Sequence, residues 1–285
     1  MRRIVNVLLA AIVTSAVVAF PTVSAVADDD TANHYYLALG DSIAAGEQFF
    51  VPGQPFYSPT GYVPLVHAAL SATDTKLNLN NVSCGGESTE SMINGSQLPS
   101  VGSSCGPPEF YQDHYPHKTQ LDEAVSFLHA HKEKADLVTI TIGANDLGPC
   151  IGTGDLACFV GLLQRMAANL DQILDGLQAA APGVRIVGMT YHNAYACLLP
   201  FDPGRAAFAQ QVVLLLNATL LSVYGAHGVA VADVAGAFNV ADLDASAQAA
   251  AEWTWFCDPD HFGNPHPNDA GYEVIADAFL DVITS

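Results

Sequence analysis

The chain has 285 residues, 50% of them apolar and 13% charged, with 29 Asp and Glu against 9 Lys and Arg and a formal net charge of −20. The apolar half excludes a disordered chain, which pairs low hydrophobicity with high net charge, and supplies enough material for one sizeable core. The acidic excess excludes nucleic acid as a partner, because that affinity rests on Lys and Arg displacing counterions and no basic block follows Arg3; it disfavours anionic lipid surfaces for the same reason.

Arg2 and Arg3 precede an apolar stretch from Ile4 to Phe20, then Pro21 and the small-x-small pattern Ala25-Val26-Ala27, which predicts a secretory signal peptide over residues 1–27. A membrane anchor fits less well, since the run is short for a hydrocarbon core of about 30 Å and holds Asn6, Thr14 and Ser15. Cleavage after Ala27 leaves a single domain, residues 28–285, and moves the formal charge from −20 to −22. The expected product is secreted, extracellular, monomeric and without a stable membrane anchor. In that compartment six cysteines most simply form three disulfides.

The rest reads as alternating strands and helices. Tyr35–Leu39 is a short apolar run, and Leu77–Val82 alternates apolar residues with Asn as a half-buried strand does. Thr119–His131 carries Leu121, Ala124, Val125 and Leu128 at helical spacing, and Leu137–Ile142 is a β-branched strand. A long helix over Asp155–Ala180 is closed by Pro182-Gly183, and a strand over Ile186–Tyr191 follows. Arg205–Tyr224 is the next helix, Val229–Val231 a short strand and Asn268–Val282 the last helix. This alternation predicts an α/β fold, a parallel sheet between two helical layers. Loops at 97–118, 145–155 and 252–267 are long for such a fold and are candidates to carry a site.

Ligands of open parallel sheets bind beyond the carboxyl ends of the strands. After the first strand stands Gly40-Asp41-Ser42, after the second Cys84-Gly85-Gly86-Glu87-Ser88, after the third Gly143-Ala144-Asn145-Asp146, and before the last helix Gly263-Asn264-Pro265-His266-Pro267. A Ser, a glycine turn, an Asn and a His at one edge form an inventory for acyl transfer. A serine hydroxyl needs a base in hydrogen-bond reach, and His takes and returns a proton near neutral pH. The backbone N–H groups of Ser42 and Gly86 and the Asn145 amide can then converge on an oxyanion.

These four blocks, in this order, resemble the SGNH hydrolases, also called GDSL esterases and lipases, and in particular their secreted, six-cysteine actinobacterial branch. The resemblance runs from about Tyr35 to Phe279. It implies a flavodoxin-like three-layer sandwich with five parallel strands, Ser42 as nucleophile, His266 as base, and Ser42, Gly86 and Asn145 as oxyanion-hole donors. It also implies the disulfides Cys84–Cys105, Cys150–Cys158 and Cys197–Cys257, each beside a functional block, where they hold catalytic loops or simply staple long ones. The activity implied is hydrolysis of small-molecule or lipid carboxylic esters through an acyl-enzyme, with no cofactor and no metal. A phospholipase or acyltransferase using the same site is the alternative, as is a degenerate, non-catalytic surface-binding protein.

One position departs from the family pattern. The usual last block is Asp-x-x-His, and three residues before His266 stands Gly263. The Gly263 backbone carbonyl is the favoured replacement for orienting the imidazole, with Asp260 second; Asp258 and Asn264 are the other groups in range. Asp260→Ala is therefore expected to keep most activity.

Other patterns carry less. Gly102-Ser103-Ser104-Cys105-Gly106 matches a nucleophile elbow, but Pro99, Pro107 and Pro108 leave no room for the strand and helix that turn requires. Gly152–Ala157 resembles a dinucleotide fingerprint that follows no strand directly. His114, His117, His129 and His131 lack a second ligand pair at zinc spacing. Trp253, Trp255, Phe256 and Phe49, Phe50, Phe56, Tyr57 are candidates for an acyl pocket or for core. The negative charge favours neutral substrates over anionic ones.

Overall fold

A computed structural model describes residues 33–48, 58–95 and 119–285. The predicted signal peptide, the elbow-like 102–106 segment, His114, His117 and the aromatics at 49–57 lie outside them. Five strands form one sheet: β1 (His34–Gly40), β2 (Leu77–Asn81), β3 (Ala135–Thr141), β4 (Arg185–Met189) and β5 (Ala230–Ala232). Their order is β2-β1-β3-β4-β5 and every pairing is parallel. This is the expected flavodoxin-like α/β arrangement, with the chain reversing its winding between β1 and β3, where such sheets open a ligand crevice.

Local chemistry sets the helix starts. α4 (Gln120–His131) begins at a capping box between Thr119 and Asp122, α5 (Leu156–Ala180) at Asp155, α6 (Pro203–Ala226) at Asp202 with proline in its first turn, and α9 (Asp269–Ile283) at Asn268. Two helices of ten or more residues escape the sequence reading: α2 (Tyr62–Ser71), whose run Tyr62-Val63-Pro64-Leu65 shows no clear period, and α8 (Leu243–Trp253), which is rich in alanine. Short α1 (Ser42–Ala45), α3 (Thr89–Asn94) and α7 (Val234–Ala237) and two 3-10 segments, Asn145–Cys150 and Ala194–Leu198, complete the order.

α2 packs on α9, with Tyr62 stacked on Phe279 at 4.5 Å, while α4 packs on α5 and α5 on α6. The core runs through the sheet between these layers, with Tyr36, Leu37, Leu39, Val138, Ile140 and Val187 buried. β4 ends two residues before the predicted limit at Tyr191, because the Asn217 side chain takes over Tyr191's backbone: the Tyr191 N–H donates to Asn217 Oδ1 at 2.7 Å, and Asn217 Nδ2 donates to the Tyr191 carbonyl at 2.8 Å. The mid-helix amide of α6 thereby fixes the end of β4 beside the site.

Candidate active site

The turn after β1 is held from several sides. The Gly40 N–H donates to Gln120 Oε1 at 2.5 Å, and the Gly40 carbonyl accepts from Gln120 Nε2 at 3.1 Å. Only glycine fits there, since a Cβ would stand 2.0 Å from the Thr141 carbonyl and φ is +133°. Asp41 then caps α1. Its Oδ1 accepts from the Ile43 N–H at 3.0 Å and from Thr141 Oγ1 at 2.9 Å, and its Oδ2 accepts from the Tyr191 hydroxyl at 2.5 Å. Burial pushes the Asp41 carboxyl up to about 6, with these hydrogen bonds opposing. Ser42 opens α1 directly after this fixed carboxyl.

The second and third blocks are tied to the same frame. Gly86 takes φ +75°, the left-handed conformation that favours glycine. The next residue, Glu87, is fully buried: its carboxylate accepts from Gln120 Nε2 at 2.9 Å and from the Ser91 hydroxyl, and its backbone carbonyl accepts from Asn145 Nδ2 at 2.9 Å. Asp146 ties the Asn145 segment to α3 by accepting from the Thr89 N–H at 2.9 Å and from the Thr89 hydroxyl. The Ser42 and Gly86 N–H groups find no acceptor among the described residues. One Asn145 amide proton is engaged and the other is left for a ligand.

His266 lies on the segment between α8 and α9, closed by a bridge between Thr254 and Pro267 and by the Trp255 N–H donating to the His266 carbonyl at 3.0 Å. Its Nδ1 meets Asn264 Oδ1 at 2.7 Å, while Asn264 Nδ2 donates to the Gln48 carbonyl. This fixes the amide orientation: Oδ1 can only accept, so the imidazole carries its proton on Nδ1 and leaves Nε2 as acceptor. The favoured Gly263 carbonyl is thus replaced by the Asn264 side chain, two residues from the histidine. The Gly263 N–H turns back to the Phe256 carbonyl at 2.9 Å. Asp260 is not the partner either; its N–H donates to Asp258 Oδ1 at 3.0 Å, and Asp258 pairs with His261 at 2.8 Å. Burial pushes the His266 imidazole down to about 4, the His192 ring adds to this, and the Gln48 carbonyl opposes it.

Ser42, Gly86, Asn145 and His266 line one cavity of about 890 Å³. The sequence blocks therefore meet at one place. Its apolar wall comes mainly from α6. Phe208, Val212 and Leu216 form a stripe on α6, joined by Phe159 of α5 and Leu147, whereas Trp253, Trp255 and Phe256 are not among the lining residues. Trp255 Nε1 donates to Gln48 Oε1 at 3.2 Å, and Phe256 is buried beside the Ala194–Leu198 segment. The stripe escaped the sequence reading because α6 is apolar nearly all round. Tyr191, Asn217, Gln120 and Glu87 escaped it too; the one available signal was a lone Asn in the run Leu214-Leu215-Leu216-Asn217.

Two disulfides are described, Cys150–Cys158 and Cys197–Cys257, with Cα separations of 5.9 and 6.1 Å. Cys84 is disulfide-bonded, and its expected partner Cys105 lies outside the described residues. Gly152–Ala157 spans the bridged loop and the Asp155 cap of α5. His131 packs on Tyr35 and Phe127.

The model of the GDSL-like lipase/acylhydrolase family matches residues 38–274. A lipase from Streptomyces rimosus is 27% identical over 233 residues, 74% of each chain. Among solved structures, the extracellular lipase from Streptomyces rimosus superposes with a TM-score of 0.56 at 23% identity, covering 88% of this chain and 98% of that one. Phospholipase A1 from Streptomyces albidoflavus gives 0.53 at 21%, covering 89% and 99%. The acetylxylan esterase Axe2 from Geobacillus stearothermophilus gives 0.54 at 18%, covering 89% and 95%.

Proposed function

The chain belongs to the GDSL-like lipase/acylhydrolase family and is a carboxylic-ester hydrolase, and from that premise we propose that it works through an acyl-enzyme on Ser42 with His266 as the base. Neutral His266 takes the Ser42 hydroxyl proton at Nε2 as Oγ attacks the ester carbonyl carbon. The oxyanion is received by the Ser42 and Gly86 N–H groups and the Asn145 amide. The imidazolium then gives its proton to the leaving alcohol, and a water deprotonated by the same nitrogen releases the acid. One observation carries this reading. Two backbone N–H groups without acceptors among the described residues, and an amide with one proton engaged, line the cavity that also holds Ser42 and His266.

The α6 stripe gives the acyl group an apolar wall, which favours esters of medium and long chains over acetates. The disulfides, and the extracellular relative from Streptomyces rimosus, support a secreted enzyme acting outside the cell. The test is a series of p-nitrophenyl esters of increasing chain length, followed by stopped flow and by mass spectrometry of the acid-quenched protein. The expected result is a burst of p-nitrophenol with one acyl group on Ser42, both absent in Ser42→Ala. Turnover by Ser42→Ala at the parent rate would overturn the proposal.

A further inference from the structure

The 29 Asp and Glu of this chain outnumber its 9 Lys and Arg, yet one of those cations, Arg205, lines the cavity with Ser42 and His266 and is the one Lys or Arg among the lining residues. It stands in the first turn of α6, where its backbone N–H is used on the Asp202 cap at 3.0 Å. Its guanidinium lies over the Tyr195 ring, 5.5 Å from the centroid. That ring packs on Phe256 with centroids 4.3 Å apart, and the Cys197–Cys257 disulfide ties the two segments together. Among the described residues no carboxylate pairs with Arg205.

The side of the cavity decides what Arg205 meets. His266 must protonate the leaving alcohol, so the alcohol lies along the wall that carries His266. Pro265 and His192 continue that wall, joined by the His192 Nε2–H donating to the Pro265 carbonyl at 3.2 Å, and Tyr195 follows His192 by three residues. Phe208, one turn beyond Arg205, instead meets Phe159 of α5 at 5.8 Å, and α5 packs on the Asn145–Cys150 segment. Arg205 thus stands toward the wall that carries His266, and Phe208 toward α5 and the Asn145 segment.

We propose that Arg205, seated on Tyr195, is a binding subsite for an anionic group, phosphate or carboxylate, on the alcohol portion of the ester, an assignment that rests on the acyl-enzyme reading of the same cavity. A guanidinium presents a planar fork of donors that matches either group. Holding it over an aromatic face reduces the freedom lost on binding. The negative charge of the whole chain repels anionic surfaces, so what is selected is one anionic group on an individual substrate molecule.

Two soluble ester pairs test this, each below its micelle concentration: dibutyroylphosphatidylcholine against dibutyrin, and 4-butyryloxybenzoate against its methyl ester. Arg205→Gln is expected to lower the charged-to-neutral ratio of kcat/KM by about 10-fold, chiefly through KM, in at least one pair. The pair that responds identifies phosphate or carboxylate as the group read, and Arg205→Lys should recover part of the loss. A ratio unchanged within about twofold in both pairs overturns the subsite. So does an equal loss when the carboxylate is moved to the acyl side, as in p-nitrophenyl hemisuccinate against p-nitrophenyl butyrate. Turnover of all these esters by Ser42→Ala would instead overturn the acyl-enzyme reading and leave the Arg205 ratios to stand on their own.

Discussion

The two halves of the site are built differently. On the Ser42 side, Gln120, Glu87, Asp41 and Tyr191 form a buried hydrogen-bond frame that reaches the Ser42 turn, the Gly86 turn and the Asn145 amide at once. On the histidine side, one partly buried segment carries His266, and its Nδ1 edge meets a neutral amide, Asn264, itself aimed by the Gln48 carbonyl. The first half is rigid because its polar groups are buried and paired, so that moving one leaves several unsatisfied. The second half orients without a full charge. A neutral carbonyl oxygen fixes the tautomer, as a triad carboxylate does, but gives the imidazolium less stabilisation.

That contrast orders the expected effects. Replacing a group proposed to react should cost most: His266→Ala and Ser42→Ala should each lower kcat on p-nitrophenyl butyrate by at least about 10⁴-fold. On the Ser42 side, Asn145→Ala removes a proposed oxyanion donor and should cost about 100- to 1,000-fold in kcat with little change in KM. On the histidine side, Asn264→Ala should cost only about 10- to 100-fold, because the lost partner is a neutral hydrogen bond and the Gln48 carbonyl remains nearby. Asp260→Ala should stay within about twofold in the same assay, and a collapse there would return the orienting role to a carboxylate.

The smallest effect concerns Glu47, which lines the cavity near Asp41. Burial, with the Asp41 charge added, raises its carboxyl from 4.5 to about 7. Between those values the folded chain holds a proton that the unfolded chain releases, so stability falls as pH rises through the window and stays lower above it. Glu47→Gln should therefore raise Tm more at pH 8 than at pH 4.5. An equal shift at both pH values would show that the carboxyl is not penalised by the fold.

Much of this was legible in the sequence, for identifiable reasons. The strands announce themselves because a parallel sheet buries both faces, and a run such as Leu137–Ile142 is β-branched at most positions and buried throughout, Thr139 and Thr141 included. Ser42, Gly86, Asn145 and His266 could be singled out because each follows a strand or precedes a helix at one edge. The frame beneath them was not legible. Glu87 with Gln120, and Tyr191 with Asn217, are paired across 33 and 26 residues, and no local rule links such positions. The apolar wall was not legible for a related reason: α6 supplies it from a distant part of the chain, while Trp253, Trp255 and Phe256, candidates for pocket or for core, do not line the cavity and Phe256 belongs to the core. Asn264 was in range by spacing, but choosing it over Gly263 needed the Gln48 carbonyl, which lies 216 residues earlier in the chain.

Base catalysis at this site calls for a neutral His266, here with its Nδ1–H held by the Asn264 amide. Nitrogen-15 NMR of the histidine-labelled protein, with His266 assigned through His266→Gln and titrated from pH 3.5 to 8, reads it directly. The Nδ1–H tautomer is expected throughout the neutral range, with a protonation midpoint at about 4. A midpoint near 6.5, or a proton on Nε2 at pH 7, would contradict it.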